Sequence, residues 1–149
     1  MLVKSAATSA DVVSASTTAA PTAHGPLYTS SFESYTSDSD VSGDGVWQTG
    51  VNYEPFLVIS GSTGTSNSGP SAAYSGSYYA YCETNQPNNP AVGFDLQSME
   101  FSGGIESITF YYNAYGAGIG TMYLQASSEG ASWSTIWSKS GNLGQTWFA

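Results

Sequence analysis

The chain predicts an all-β fold, an antiparallel β-sandwich of jelly-roll type with an extended N-terminal arm. Three observations carry this. Apolar residues recur with a period of two, helical spacing is absent, and Gly, Pro and Asn turns separate short runs. Many short strands with Gly-rich turns pack as two sheets around one core. At 149 residues the chain is long enough for one such domain.

The elements follow in order. Residues 1–26 are rich in Ala, Ser and Thr, with Val12 and Val13 the large apolar residues of their stretch and Pro21, Gly25 and Pro26 closing it. Two readings stand: a flexible linker outside the compact body, or an arm that becomes extended when docked on a neighbour through Val12 and Val13. The compact domain is expected over 27–149. Tyr28–Glu33 is its first strand candidate, and Asp38–Gly45 a polar loop before Val46-Trp47-Gln48. Glu54–Ile59 is a short strand with Pro55 near its start, where a lost donor matters least. Residues 60–76 read as a Gly/Ser/Thr/Asn loop, and Tyr78–Glu83 resumes extended structure.

After the turn at Asn85–Pro90, Ala91–Leu96 leads back into strand. Ile108, Phe110 and Tyr112 share one face of the next strand, and Met122, Leu124 and Ala126 one face of another. Trp133–Trp137 follows the turn at Glu129-Gly130. The final run, Gly144–Ala149, brings Trp147 and Phe148 and then stops without a closing turn. The sheet therefore reads as unfinished, with the missing pairing supplied by further residues or by another chain. An open sheet edge is itself a docking site for a strand.

Charge excludes several functions. The chain has no Arg, only Lys4 and Lys139 against eleven carboxylates, for a net charge of −9. Phosphate backbones and anionic membrane surfaces need cations, so neither nucleic acid nor a membrane is an expected partner. No apolar run reaches transmembrane length. A surface built from Ser, Thr, Asn, Gly and Tyr points to an extracellular or cell-surface protein. The single Cys82 rules out an internal disulfide framework.

A further signal lies in ordered motifs: Phe32-Glu33, Trp47 after an acidic loop, Gly69-Pro70, Gly76-Ser77-Tyr78-Tyr79 and Glu83. Phe110–Gly116 then runs into Ile119–Leu124, and Trp137, Gly141, Gly144 and Trp147 follow in order. Over residues 28–149 the chain resembles the MAM domain, the extracellular adhesion module of meprin, neuropilin and receptor tyrosine phosphatases, in a bacterial-like variant. It departs from that pattern in three ways: no disulfide cysteines, Ser71 in place of an acid after Gly-Pro, and no counterpart of the last strands after Ala149. The resemblance implies a jelly roll used for adhesion or self-association, without catalysis.

The candidate chemistry is sparse. His24, the only histidine, lies in the Pro/Gly-rich segment, and Cys82 reads as a small buried hydrophobe. No convergent catalytic set is visible, so no enzyme is expected. Calcium is the cofactor expected, since it takes carboxylate and carbonyl oxygens. By resemblance its ligands are Glu33 and Glu83, with Asp44 third. Most aromatics match core positions, whereas Tyr79, Tyr81, Tyr111 and Tyr123 fall on alternate faces as a contact surface. The functional expectation is an adhesion or self-assembly module, its copies joined into a homo-oligomer or filament by exchange of the N-terminal arm. A carbohydrate-binding module of the same architecture, with a glycan as partner, is the alternative.

Overall fold

The computed structural model describes residues 2–6, 10–16, 28–42, 45–51, 53–82, 93–102, 104–128 and 130–149, the first two stretches by backbone and pairing. These form twelve strands and no helix: β1 (Leu2–Ala6), β2 (Ala10–Ser16), β3 (Tyr28–Thr29), β4 (Trp47–Thr49), β5 (Glu54–Pro55), β6 (Leu57–Ser60), β7 (Tyr78–Tyr81), β8 (Phe94–Ser98), β9 (Ser107–Ala114), β10 (Thr121–Ser127), β11 (Ser134–Ser140) and β12 (Gly144–Phe148). One sheet runs β11-β10-β1-β8-β4, with β5 added to β8. The other runs β12-β9-β2-β7-β6, with β3 added to β2. All pairings are antiparallel except that of β5 with β8. This is the all-β sandwich the alternation predicts.

The core lies between the sheets because each contributes alternate side chains to it. Trp47, Leu96 and Met122 come from the first sheet, and Val58, Ala80, Tyr112 and Ala114 from the second. Phe56 marks where the chain changes sheet. It separates β5, which pairs with β8, from β6, which pairs with β7, and its ring is fully buried. Its amide donates to Thr49 Oγ1 at 2.6 Å, and that hydroxyl donates to the Asp95 carbonyl at 2.7 Å. The crossing point is thus satisfied at both backbone and side chain.

The arm over residues 1–26 is expected as a linker outside the compact body or as a segment that becomes extended when docked; its described residues, 2–6 and 10–16, are the extended interior strands β1 and β2. β1 lies between β10 and β8, from Leu2↔Ser127 to Ala6↔Tyr123 on one side and at Lys4↔Gln97 and Ser5↔Leu96 on the other. β2 lies between β9 and β7, and its far end carries β3 at Ser14↔Thr29 and Ala15↔Tyr28. The physical reason is backbone pairing. Among the described residues, β10 and β8, and likewise β9 and β7, are linked through no other ladder, and interior N–H and C=O groups require partners. An Ala/Ser/Thr/Val segment supplies them without bringing a run of charge. Between Asp11↔Tyr111 and Ser14↔Thr109, β2 advances one residue more than β9, so Val12 and Val13 form a bulge opposite Phe110.

Other expectations shift locally. The first strand candidate shortens to Tyr28–Thr29, because Phe32 turns into the core with φ at 60° and is 2% exposed. The acidic loop is partly structural. Asp38 N–H donates to Val58 O at 2.7 Å, Val58 N–H to Ser39 O at 2.9 Å and Val41 N–H to Phe56 O at 3.0 Å. That segment lies along the free edge of β6, where Asp38 and Asp40 are exposed and Val41 is buried. Acidic side chains on an edge oppose further strand addition there.

Candidate functional site

The outer face of the β12-β9-β2-β7-β6 sheet carries the most developed surface. Strand alternation sends Tyr79, Tyr111 and Trp147 to that side, while Ala80, Tyr112 and Phe148 belong to the core cluster or pack on it. The segment 61–77 between β6 and β7 is longer than the ~12–15 residues usual for an unstructured connection. It folds back over this face. The Tyr79 hydroxyl donates to Gly61 O at 2.9 Å, and Trp147 Nε1–H donates to Ala72 O at 3.0 Å. Gly69 N–H donates to Tyr115 O at 2.7 Å, and Thr63 Oγ1–H donates to Ser68 O. Gly69 sits at φ +67°, and a Cβ there would come within 2.6 Å of Thr63, so glycine is needed for both reasons.

On this scaffold four aromatics meet. Tyr74 stacks on Tyr111 with centroids 3.6 Å apart, and Trp147 presents its edge to Tyr74 at 6.4 Å and Tyr79 at 5.8 Å. Tyr74 remains 47% exposed. Its hydrogen bond with the Tyr111 side chain, then burial and the charge of Tyr111, raise its pKa above the ordinary phenol value. Burial alone raises Tyr112, in the core. Both hydroxyls are neutral at physiological pH and act as donors and acceptors.

Of the four tyrosines expected to form a contact surface, Tyr123 is exposed, at 40%, and it lies on the other sheet. Tyr81 and Tyr111 are half-buried. Tyr79 corrects the expectation: it is fully buried, because the folded-back segment and Trp147 cover its face. Tyr74 was missed in the sequence, where it is a lone aromatic in a polar run; the length of that run was the usable signal. Asp95 was missed too. It is fully buried in β8, with Oδ1 accepting from Val51 N–H at 3.1 Å.

Of the three calcium candidates, Glu33 lies among the described residues. Glu33 is exposed, and its Oε1 accepts from the N–H groups of Ser77 at 2.9 Å and Tyr78 at 2.8 Å. Glu83 and Asp44 lie outside the described residues. Among those described, no three His, Cys, Asp or Glu side chains cluster as a metal site. Among the described residues, no helix is long and apolar enough to cross a membrane.

A polar groove opens at the end of β9 and β12, with a volume of about 430 Å³, between residues 62–71 and the side chains of Tyr115 and Gln145. At the margin of the sandwich, Ile108, Phe110, Leu124, Ile136 and Trp137 line an apolar groove of about 240 Å³. Ile136 is the extra residue of the β11 bulge opposite Leu124/Gln125 and is 55% exposed.

Comparison with known proteins gives one set of relatives. In an alignment of 98 residues that covers 56% of the chain, it is 37% identical to MAM domain-containing glycosylphosphatidylinositol anchor protein 2 of Mus musculus. The Rattus norvegicus and Homo sapiens proteins of that name are 36% and 34% identical over the same share. The chain spans about a tenth of the length of the curated relatives it matches, 10% in each case. No family model matches, and no solved structure does. Across that stretch the chain is similar to a MAM domain, and its all-strand sandwich agrees with the fold which the Phe32-Glu33 and Phe110–Gly116 motifs imply.

Proposed function

We propose that this chain is a non-catalytic, extracellular adhesion module with jelly-roll connectivity, and that copies of it associate with one another. The relatives carry in their name a glycosylphosphatidylinositol anchor, a lipid attachment of the cell exterior. The surface supports the same reading, with two cations in the whole chain and hydroxyl and aromatic groups in their place.

The single observation that carries self-association is the position of residues 2–16. Among the described residues, β1 and β2 form the sole ladder bridge in their sheets, and residues 17–27 join them to β3. At about 3.3–3.6 Å per residue that connector reaches roughly 36–40 Å, enough to deliver the segment to a neighbouring copy. The identical strand pair then fills the same two slots in the neighbour, at little cost because every contact is conserved in the exchange. A head-to-tail exchange continues into a filament unless its rotation closes a ring.

Calcium completes the proposal. Glu33 Oε1 is occupied by two amides, so Oε2 is the atom offered to a cation, with Glu83 and Asp44 as the other carboxylates. Sedimentation of the full chain tests the reading. Oligomers growing with concentration, together with clustering of beads coated with the chain, are expected. A monomer at all concentrations on inert beads would count against it.

A further inference from the structure

We infer that the groove between residues 62–71, Tyr115 and Gln145 is a binding site for a neutral saccharide. Its volume, about 430 Å³, falls within the range of roughly 300–1,000 Å³ that small-ligand sites occupy. Thr63, Ser66, Asn67, Ser71, Tyr115 and Gln145 are among its lining residues, and no lining residue is charged. Hydroxyls and carboxamides both donate and accept, which matches the paired donor and acceptor character of sugar hydroxyls. Tyr115 adds apolar surface for the C–H face of a pyranose. A cation, phosphate, sulfate or carboxylate would find no counter-charge there, and the chain's net charge of −9 opposes anions further.

The groove is built rather than incidental. The bond from Thr63 Oγ1 to Ser68 O closes one wall on itself, and that from Gly69 N–H to Tyr115 O pins it to the sheet. Gly69 and Pro70 are buried beneath it, and Ser68 packs within 3.5 Å of the Cβ position at Gly116. Asn67, at the rim, holds a left-handed backbone at φ 58°, a conformation that Asn tolerates better than most residues and that recurs at binding loops. A pre-ordered wall lowers the entropy lost on binding.

A glycan then sits not on the tyrosines expected as a contact surface but on polar residues of the segment between β6 and β7. The site and the proposed self-association are independent, so either can fail alone. The test is a titration of the full chain with neutral disaccharides of glucose, galactose and N-acetylglucosamine and with their sulfated counterparts, read by nuclear magnetic resonance shifts of labelled amides. A neutral disaccharide is expected to bind with a dissociation constant of about 1 mM or tighter, shifting residues 62–71, 115 and 145. Asn67→Gly with Gln145→Ala is expected to weaken it at least about tenfold without moving the melting temperature, since both residues are exposed. Tyr123→Ala, on the other sheet, should leave binding unchanged. Absence of binding at about ten times that concentration, equal binding of sulfated sugars, or affinity undiminished in the double variant would each overturn the assignment.

Discussion

Trp147→Ala is the sharpest test of how the aromatic face is held. Trp147 is half-buried, touches Tyr79 and Tyr74 edge-on, and donates its indole N–H to Ala72 O at 3.0 Å. Truncating a fully buried Trp costs about 3–5 kcal/mol; half burial reduces that to about 2 kcal/mol. The hydrogen bond adds ~0.5–1 kcal/mol because it is exposed and water replaces it in part. The sum, about 2–3 kcal/mol, corresponds to a fall in melting temperature of roughly 4–12 °C for a chain of this size. Trp147→Phe keeps a ring against Tyr79 and loses the donor, so it should cost about 0.5–1 kcal/mol. Thermal and urea unfolding followed by near-ultraviolet circular dichroism measures both. A shift under about 2 °C for Trp147→Ala would mean that the segment 61–77 is not fastened by this ring, and the reasoning would be wrong.

Three further outcomes follow from the geometry. Gly69→Ala places a Cβ within 2.6 Å of the Thr63 side chain at a φ of +67° and should destabilise by about 1–3 kcal/mol, measurable as a lower urea midpoint. Glu33→Ala leaves the Ser77 and Tyr78 amides to water and should cost about 1 kcal/mol, whereas Glu33→Gln, which keeps an acceptor, should cost less in the same melt. The pKa values of Tyr74 and Tyr112 are both raised in the folded state, so the native chain holds more protons than the unfolded one at high pH. Their contribution is therefore constant below about pH 10 and is lost as pH rises through the folded values. Alkaline melts should show stability falling only above that point, and Tyr74→Phe should soften the fall.

The sequence made β10 legible because alternation holds across its middle. Met122 and Leu124 are buried and Tyr123 is exposed, as the period of two requires. The same rule failed at β7, where Tyr79 and Ala80 are both buried: a strand with cover on both faces carries no alternation. The cover comes from residues 61–77, whose Ser, Thr and Gly composition reads as solvent-facing and whose bonds to Tyr79, Trp147 and Tyr115 are non-local. Residues 2–16 were illegible for a related reason. Small polar residues and Ala have little apolar signal, and their place in the sheets is set by backbone pairing, to which composition is nearly blind. The polar groove is a product of the same folded-back segment and could not be read before its path was known.

Residues 2–6 and 10–16 complete both sheets as β1 and β2, and the proposed exchange passes them between copies. A cysteine pair placed across one ladder tests this directly. Lys4 and Gln125 are Cα partners in β1 and β10, and antiparallel partners lie ~4.5–5.5 Å apart, within disulfide reach. In a Cys82→Ala background, Lys4→Cys with Gln125→Cys is oxidised and run on a non-reducing gel over a range of concentrations. Exchange gives a ladder of covalent multimers that lengthens with concentration. A disulfide confined within single chains at every concentration would confirm the pairing and contradict the exchange, while no disulfide at all would contradict both.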